Sequence, residues 1–249
     1  MPLVVVLQGA YSSDAGIEQL TGFDGIAQRR GFVVVYPQPQ AGLWHLGCCN
    51  ALRRSPDDVS FIGGLIDHLV ATADVDPSRV YVVGFSVGAA MAYRLACELS
   101  SKVAGIGSVG GFEYLSAPCR PRRPVSIFEI HGTSDFYGGS CGGQSQSDVG
   151  CGFGQPGYEP SVQQVNTQWR HLDGCPAAVA RVVTGPLIEQ TSSCRDGTGV
   201  RLDTIKGGSH CWPGGAGEST CLHFDASLAL WIFLSERPPP SATPTGSGR

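Results

Sequence analysis

The chain has 249 residues, enough to bury one substantial core, with 42% apolar and 15% charged side chains. A net charge of −4 without any Lys/Arg run argues against nucleic acid or an anionic membrane as partner. No stretch approaches the roughly 18 consecutive apolar residues that a membrane-spanning helix requires.

Five apolar runs read as strands. Leu3–Leu7, bounded by Gly9, has the look of a strand buried on both faces, and Phe32–Tyr36, ended by Pro37, repeats it. Arg79–Phe85, Val125–Ile130 and Val200–Ile205 are the third, fourth and fifth. Helical patterns lie between them. Over Asp58–Ala73, residues Val59, Ile62, Leu65, Ile66, Leu69 and Val70 share one face. Val87–Leu99 is an alanine-rich helix, Ser161–Leu172 opens on a capping-box signature (Ser161, Gln164), and Phe224–Leu234 carries Leu228, Trp231 and Ile232. This alternation predicts an α/β domain over residues 1–236: a mostly parallel sheet covered by helices on both faces, with its site at the carboxyl ends of the strands. Residues 136–160 form one long non-periodic stretch, of the kind that is functional or pinned by cross-links. Residues 237–249 (RPPPSATPTGSGR) read as a Pro/Ser/Thr-rich linker or disordered tail, with a further module beyond it as one option.

Ten cysteines, an even number without a CxxC pair, favour disulfides and hence an oxidising, extracellular compartment. Spacing does not fix the partners; local pairing would join Cys97–Cys119, Cys141–Cys151 and Cys175–Cys194. A zinc site from His210, Cys211, Cys221 and His223 competes with this reading, but its spacing matches no usual zinc pattern, and no metal is expected. Secretion implies a leader; the opening MPLVVVLQG is too short for one and reads as a core strand, so a leader and one or two early strands are expected upstream of it.

The chemistry gathers at three strand ends. Gly84-Phe85-Ser86-Val87-Gly88 is a GxSxG between a strand and a helix, the setting of a nucleophile elbow; the plainer alternative is a tight strand-to-helix turn. A serine hydroxyl needs a base beside it. After the fourth strand comes His131-Gly132-Thr133-Ser134-Asp135, and after the fifth Gly207-Gly208-Ser209-His210, which makes Asp135 the orienting acid and His210 the base. Asp148 and Asp173 stand as substitute acids should Asp135 only form a turn. Among the other histidines, His68 and His171 lie inside helices, His45 and His223 lack a strand-end position, and His131 reads as structural. The oxyanion hole is expected from the amides of Val87 and of Ala10 or Tyr11, in the turn after the first strand. Trp212, just after the base, and Trp44, after the second strand, are candidate substrate contacts or plain cleft walls.

The runs PLVVVLQG, LTGFDGIA, GFVVVYPQ, CCNALRRSPDDVSFIGGLIDHL, RVYVVGFSVGAAMAYRLACEL, IHGTSD and GGSHCWPG follow one another in an order that resembles the polyhydroxybutyrate-depolymerase-like esterases. That group includes the secreted feruloyl and acetylxylan esterases of carbohydrate esterase family 1. The resemblance implies an α/β-hydrolase fold, a triad of Ser86, Asp135 and His210, no metal or organic cofactor, and extracellular action on polymeric or polymer-derived esters. Two positions depart from it: Gln8 stands where the family has a histidine, and Cys211 where it has a small or hydroxyl residue, so that a disulfide could fix the histidine loop. Three functions follow as expectations: an esterase on feruloyl or acetyl esters of plant polysaccharide, a polyester depolymerase needing an exposed apolar rim, and a catalytically silent binding module on the same fold.

Overall fold

A computed structural model describes residues 1–40, 42–46, 57–111, 113, 118–135, 160–217, 221–222 and 224–237, with backbone alone at 143–144 and 158–159. The expected Cys141–Cys151 pair, His223, Asp148 and nearly all of the 237–249 tail lie outside the described residues.

In chain order the elements are β1 (Leu3–Leu7), α1 (Asp14–Thr21), α2 (Phe23–Arg30), β2 (Val33–Val35), α3 (Asp58–Thr72), β3 (Val80–Phe85), α4 (Val87–Glu98), β4 (Gly105–Val109), β5 (Ser126–Gly132), β6 (Gly143–Gln144), β7 (Tyr158–Glu159), α5 (Val162–Leu172), β8 (Ala180–Thr184), β9 (Leu187–Ser193), β10 (Gly199–Ile205) and α6 (Ala226–Ser235). The main sheet runs β2-β1-β3-β4-β5-β10-β9-β8. Its first six strands are mutually parallel, and β9 and β8 extend it as an antiparallel hairpin.

The five strands expected from the apolar runs are all present, and the sheet is covered on both faces. Successive residues of β1 feed different cores: Leu3, Val5 and Leu7 pack with α3, α4 and α5, while Val4 and Val6 pack with α1, α2 and α6. Each such side chain contributes roughly 1.5–3 kcal/mol on burial. The capping box of α5 is formed, Ser161 accepting from the Gln164 amide and Gln164 accepting from the Ser161 amide.

Besides the two-residue strands β6 and β7, three features are additional to the sequence expectations: the strand β4, the β8–β9 hairpin, and two short helices, α1 and α2, joined at Gly22 in the left-handed region. Strand order reverses between β1 and β3, so the segments leaving their carboxyl ends diverge and open a crevice there.

Two buried carboxylates face the α5 side. Glu113 accepts from Gln168 Nε2 at 3.1 Å, and Asp173 accepts from the Val125 amide at 3.2 Å. Burial pushes both up to about 7 from ordinary values of 4.5 and 3.8. The unfolded chain releases these protons near pH 4, whereas the folded chain holds them until about pH 7, so stability is lost as pH rises through that window. Glu113→Gln and Asp173→Asn should each remove on the order of 3 kcal/mol of that decline. Urea unfolding of wild type and variants at the two ends of the window checks it; parallel pH slopes would refute it.

Candidate active site

The end of β3 is shaped by close backbone approach. A Cβ on Gly84 would fall 2.2 Å from the Gly88 carbonyl carbon, and one on Gly88 would fall 2.2 Å from the Leu7 carbonyl oxygen. Only glycine at both positions lets the chain turn from β3 into α4 while lying against β1. Ser86, between them, is forced to φ 55° and ψ −120°, a region that side-chain-bearing residues rarely occupy. Its backbone is held from the other side, the Ser86 amide donating to the Val109 carbonyl at 3.0 Å. Val87 is the first residue of α4, so its N–H has no acceptor within the helix and faces the crevice end of the helix dipole.

Asp135 and His210 come together from the carboxyl ends of β5 and β10. His210 Nδ1 lies 2.8 Å from Asp135 Oδ2; the carboxylate is buried, and the imidazole is partly open to solvent. The acid's loop is fixed by backbone bonds from Thr133 to Ile205 and from Ser134 to Gly208. Beneath the imidazole the Phe85 ring stacks at 4.9 Å between centroids, and Phe85 is the residue before Ser86. Gly110, at φ 57° after β4, completes the floor: a Cβ there would fall 3.1 Å from His210 Nδ1 and 3.3 Å from Asp135 Oδ2. The sequence reading missed Phe85 and Gly110. The first is the free position of GxSxG, and the second follows a strand that the apolar pattern did not reveal. Asp173, the substitute acid, sits before the amino end of β5 and is engaged there by Val125, so it does not serve His210.

The turn after β1 is braced by Gln8. Its Nε2 donates to the Ser12 carbonyl at 2.8 Å, and its own carbonyl accepts from Trp44 Nε1 at 3.1 Å. An amide thus ties the turn that carries Ala10, which is partly exposed, and Tyr11, which is 81% exposed at φ 55°.

Of the two readings of the tryptophans, burial favours cleft wall over substrate contact. Trp44 and Trp212 are each 1% exposed, and their indole N–H groups are committed to the Gln8 carbonyl and, at 3.0 Å, to Ser227 Oγ. Trp212 packs edge-on against Phe85 and Phe23. The apolar bulk of an indole is more stabilising beneath the site than on its surface, so these rings support the turn after β1 and the loop of His210 from below.

Cys97–Cys119 and Cys175–Cys194 are bonded as local pairing suggested, and Cys211–Cys221 is a third disulfide. The last excludes the zinc alternative at these cysteines, because a thiolate ligand is no longer available. It also closes the loop that follows His210.

Comparison with known proteins places residues 1–119 in a match to the family described as Esterase PHB depolymerase. The protein NocK of Nocardia uniformis subsp. tsuyamanensis is 31% identical over 229 residues, covering 86% of this chain and 66% of that protein. Feruloyl esterase B of Piromyces equi is 30% identical over 178 residues, 69% of this chain but 32% of that protein. Poly(3-hydroxyalkanoate) depolymerase C of Paucimonas lemoignei is 26% identical over 246 residues, 86% and 59%. The chain therefore spans between about a third and two thirds of the length of these relatives. Among solved structures, an acetyl xylan esterase from Aspergillus awamori superposes with a TM-score of 0.62 at 14% identity, over 93% of this chain and 89% of that one. Thermogutta terrifontis esterase 2 does so with 0.55 at 17%, over 97% and 85%. The fold is that of the α/β-hydrolases.

Proposed function

From the match of residues 1–119 to the Esterase PHB depolymerase family, we propose that the chain is a secreted serine carboxylester hydrolase working through an acyl-enzyme. The observation that carries this reading is the Asp135–His210 pair stacked on Phe85, one residue from a serine in the strained elbow conformation. His210 takes the Ser86 proton as Oγ attacks the ester carbonyl, and Asp135 orients the imidazole and stabilises its protonated form. The amides of Val87 and Ala10 receive the oxyanion, with Tyr11 as the alternative to Ala10. His210 then protonates the leaving alcohol, and water, deprotonated by the same ring, releases the acid. The domain that does this work spans residues 1–236.

The three disulfides support an extracellular location. For the substrate, relatives named feruloyl esterase and acetylxylan esterase favour feruloyl or acetyl esters of plant polysaccharide. The match to a poly(3-hydroxyalkanoate) depolymerase along 86% of the chain favours polyester as the second reading. Release of ferulate or acetate from xylan, set against clearing of a polyester film, separates the two.

A fluorophosphonate probe tests the chemistry itself. Stoichiometric labelling is expected at Ser86, mapped by peptide mass spectrometry. A chain that stays unlabelled rules the hydrolase out in favour of a silent module on the same fold, and labelling elsewhere overturns Ser86 as the nucleophile.

A further inference from the structure

Asp135 has a second imidazole behind it. Glu129 and His131 alternate on β5 and so project to one face of the sheet, and Asp135 follows after a short turn in which its amide donates to the Gly132 carbonyl. His131 Nδ1 lies 2.9 Å from Glu129 Oε1, and His131 Nε2 lies 3.5 Å from Asp135 Oδ2, the same oxygen that His210 reaches at 2.8 Å. The far end of the array is closed by Tyr93 on α4, whose hydroxyl donates to Glu129 Oε2 at 3.0 Å. All of these groups except His210 are buried.

We infer that Glu129 and His131 form a carboxylate–imidazolium pair that holds Asp135 ionised and aimed at His210. The inference rests on the triad proposed above. A neutral imidazole carries one N–H, whereas the protonated ring carries one toward each carboxylate, a hydrogen bond to Glu129 and an ion-pair contact to Asp135. Two carboxylates buried around a neutral ring would stand uncompensated, an arrangement penalised by several kcal/mol, and the cation between them removes most of that penalty. Tyr93 donates to Glu129 Oε2, and an ionised Glu129 accepts at Oε1 from His131 Nδ1 as well. Burial pushes Glu129 up, while His131 and the hydroxyls of Ser108 and Tyr93 pull it back. The ionisable groups facing His131 and its pair are Glu129 on its own strand, Tyr93 from α4, Glu113 from the segment after β4, Asp135 from the loop after β5 and His210 from the loop after β10. His131 and Glu129 are thus positioning residues, acting on the base through Asp135.

The pair predicts a charge effect at the reaction. Without the imidazolium, the field of Asp135 on the base is no longer offset, so the acid limb of the kcat/KM profile moves to higher pH. His131→Gln should shift that limb up by about half a pH unit or more, and Glu129→Gln should do so to the extent that it strips the imidazole of its proton. They should also lower kcat about tenfold through a less constrained carboxylate, with KM within about twofold. Tyr93→Phe removes a hydrogen bond but no charge and leaves the limb in place. A purely packing role would lower the Tm of all three variants and move the limb in none, which overturns the inference. Imidazole 15N NMR of the wild-type protein needs no variant: His131 protonated on both nitrogens near pH 7 is the expected result, and a neutral ring overturns the pairing. Failure of the triad itself shows separately, as loss of fluorophosphonate labelling at Ser86 with the His131 spectrum unchanged.

Discussion

Ser86→Ala is expected to lower ester hydrolysis by about 10⁴-fold or more while leaving the fold intact. Every step of the proposed reaction passes through the Ser86 oxygen, and no other described hydroxyl stands at the end of β3 in its place. What would remain after the substitution is the proposed oxyanion site and its cleft, which by themselves accelerate hydrolysis about 10³–10⁴-fold over water. Alanine has the same Cβ as serine and meets the same strain at φ 55°, so stability should change by less than about 1 kcal/mol. Glycine would be a poorer test, because it relaxes the elbow as well as removing the nucleophile. Steady-state turnover of a small aryl ester, with unfolding followed in parallel, decides the matter. A rate within tenfold of wild type would place the chemistry elsewhere.

Gly88→Ala is expected to prevent the elbow from forming, at a cost of more than about 4 kcal/mol. The added Cβ would stand 2.2 Å from the Leu7 carbonyl oxygen and 2.5 Å from that of Gln8. These are backbone atoms at the end of β1 and in the turn after it, and neither can withdraw without breaking the β1–β3 register, in which Leu7 pairs with Gly84. Side-chain repacking offers no escape. The same substitution at Gly64, on α3, meets nothing within 4 Å and should stabilise by up to about 1 kcal/mol through helix propensity. Thermal unfolding of the two variants checks the contrast, and similar melting temperatures would show that the approach of α4 to β1 is looser than described.

Much of this architecture was legible because its cause is local. β1 and β3 are continuous apolar runs, since strands covered on both faces bury every residue, and Ser161 and Gln164 announce the start of α5 through their own side chains. β4 was silent for a tertiary reason. Its sequence is GIGSV, and Cβ atoms on Gly105 and Gly107 would each fall 2.7 Å from α6, on Leu234 and Leu230. The strand gives up the apolar signature of a strand so that a helix can lie close upon it. The β8–β9 hairpin had a signal that went unread, two runs flanking Gly185-Pro186, but β8 is exposed along its whole length and shows no alternation. The helices α1 and α2 were marked by Ser13, Gly22 and Gly31 at their ends rather than by a long apolar face.

The sequence by itself determined which residues stand at strand ends, because apolar runs, glycines and the order of serine, aspartate and histidine are properties of the chain alone. Only the tertiary structure decided what those residues face. Whether an indole meets substrate or core depends on elements far away in the chain: Trp44 is claimed by Gln8 and Trp212 by Ser227. Glu129 and Asp135 stand close to His131 in the sequence, yet only the fold shows the ring lying between their carboxylates, where close contact in a buried medium gives charge its influence.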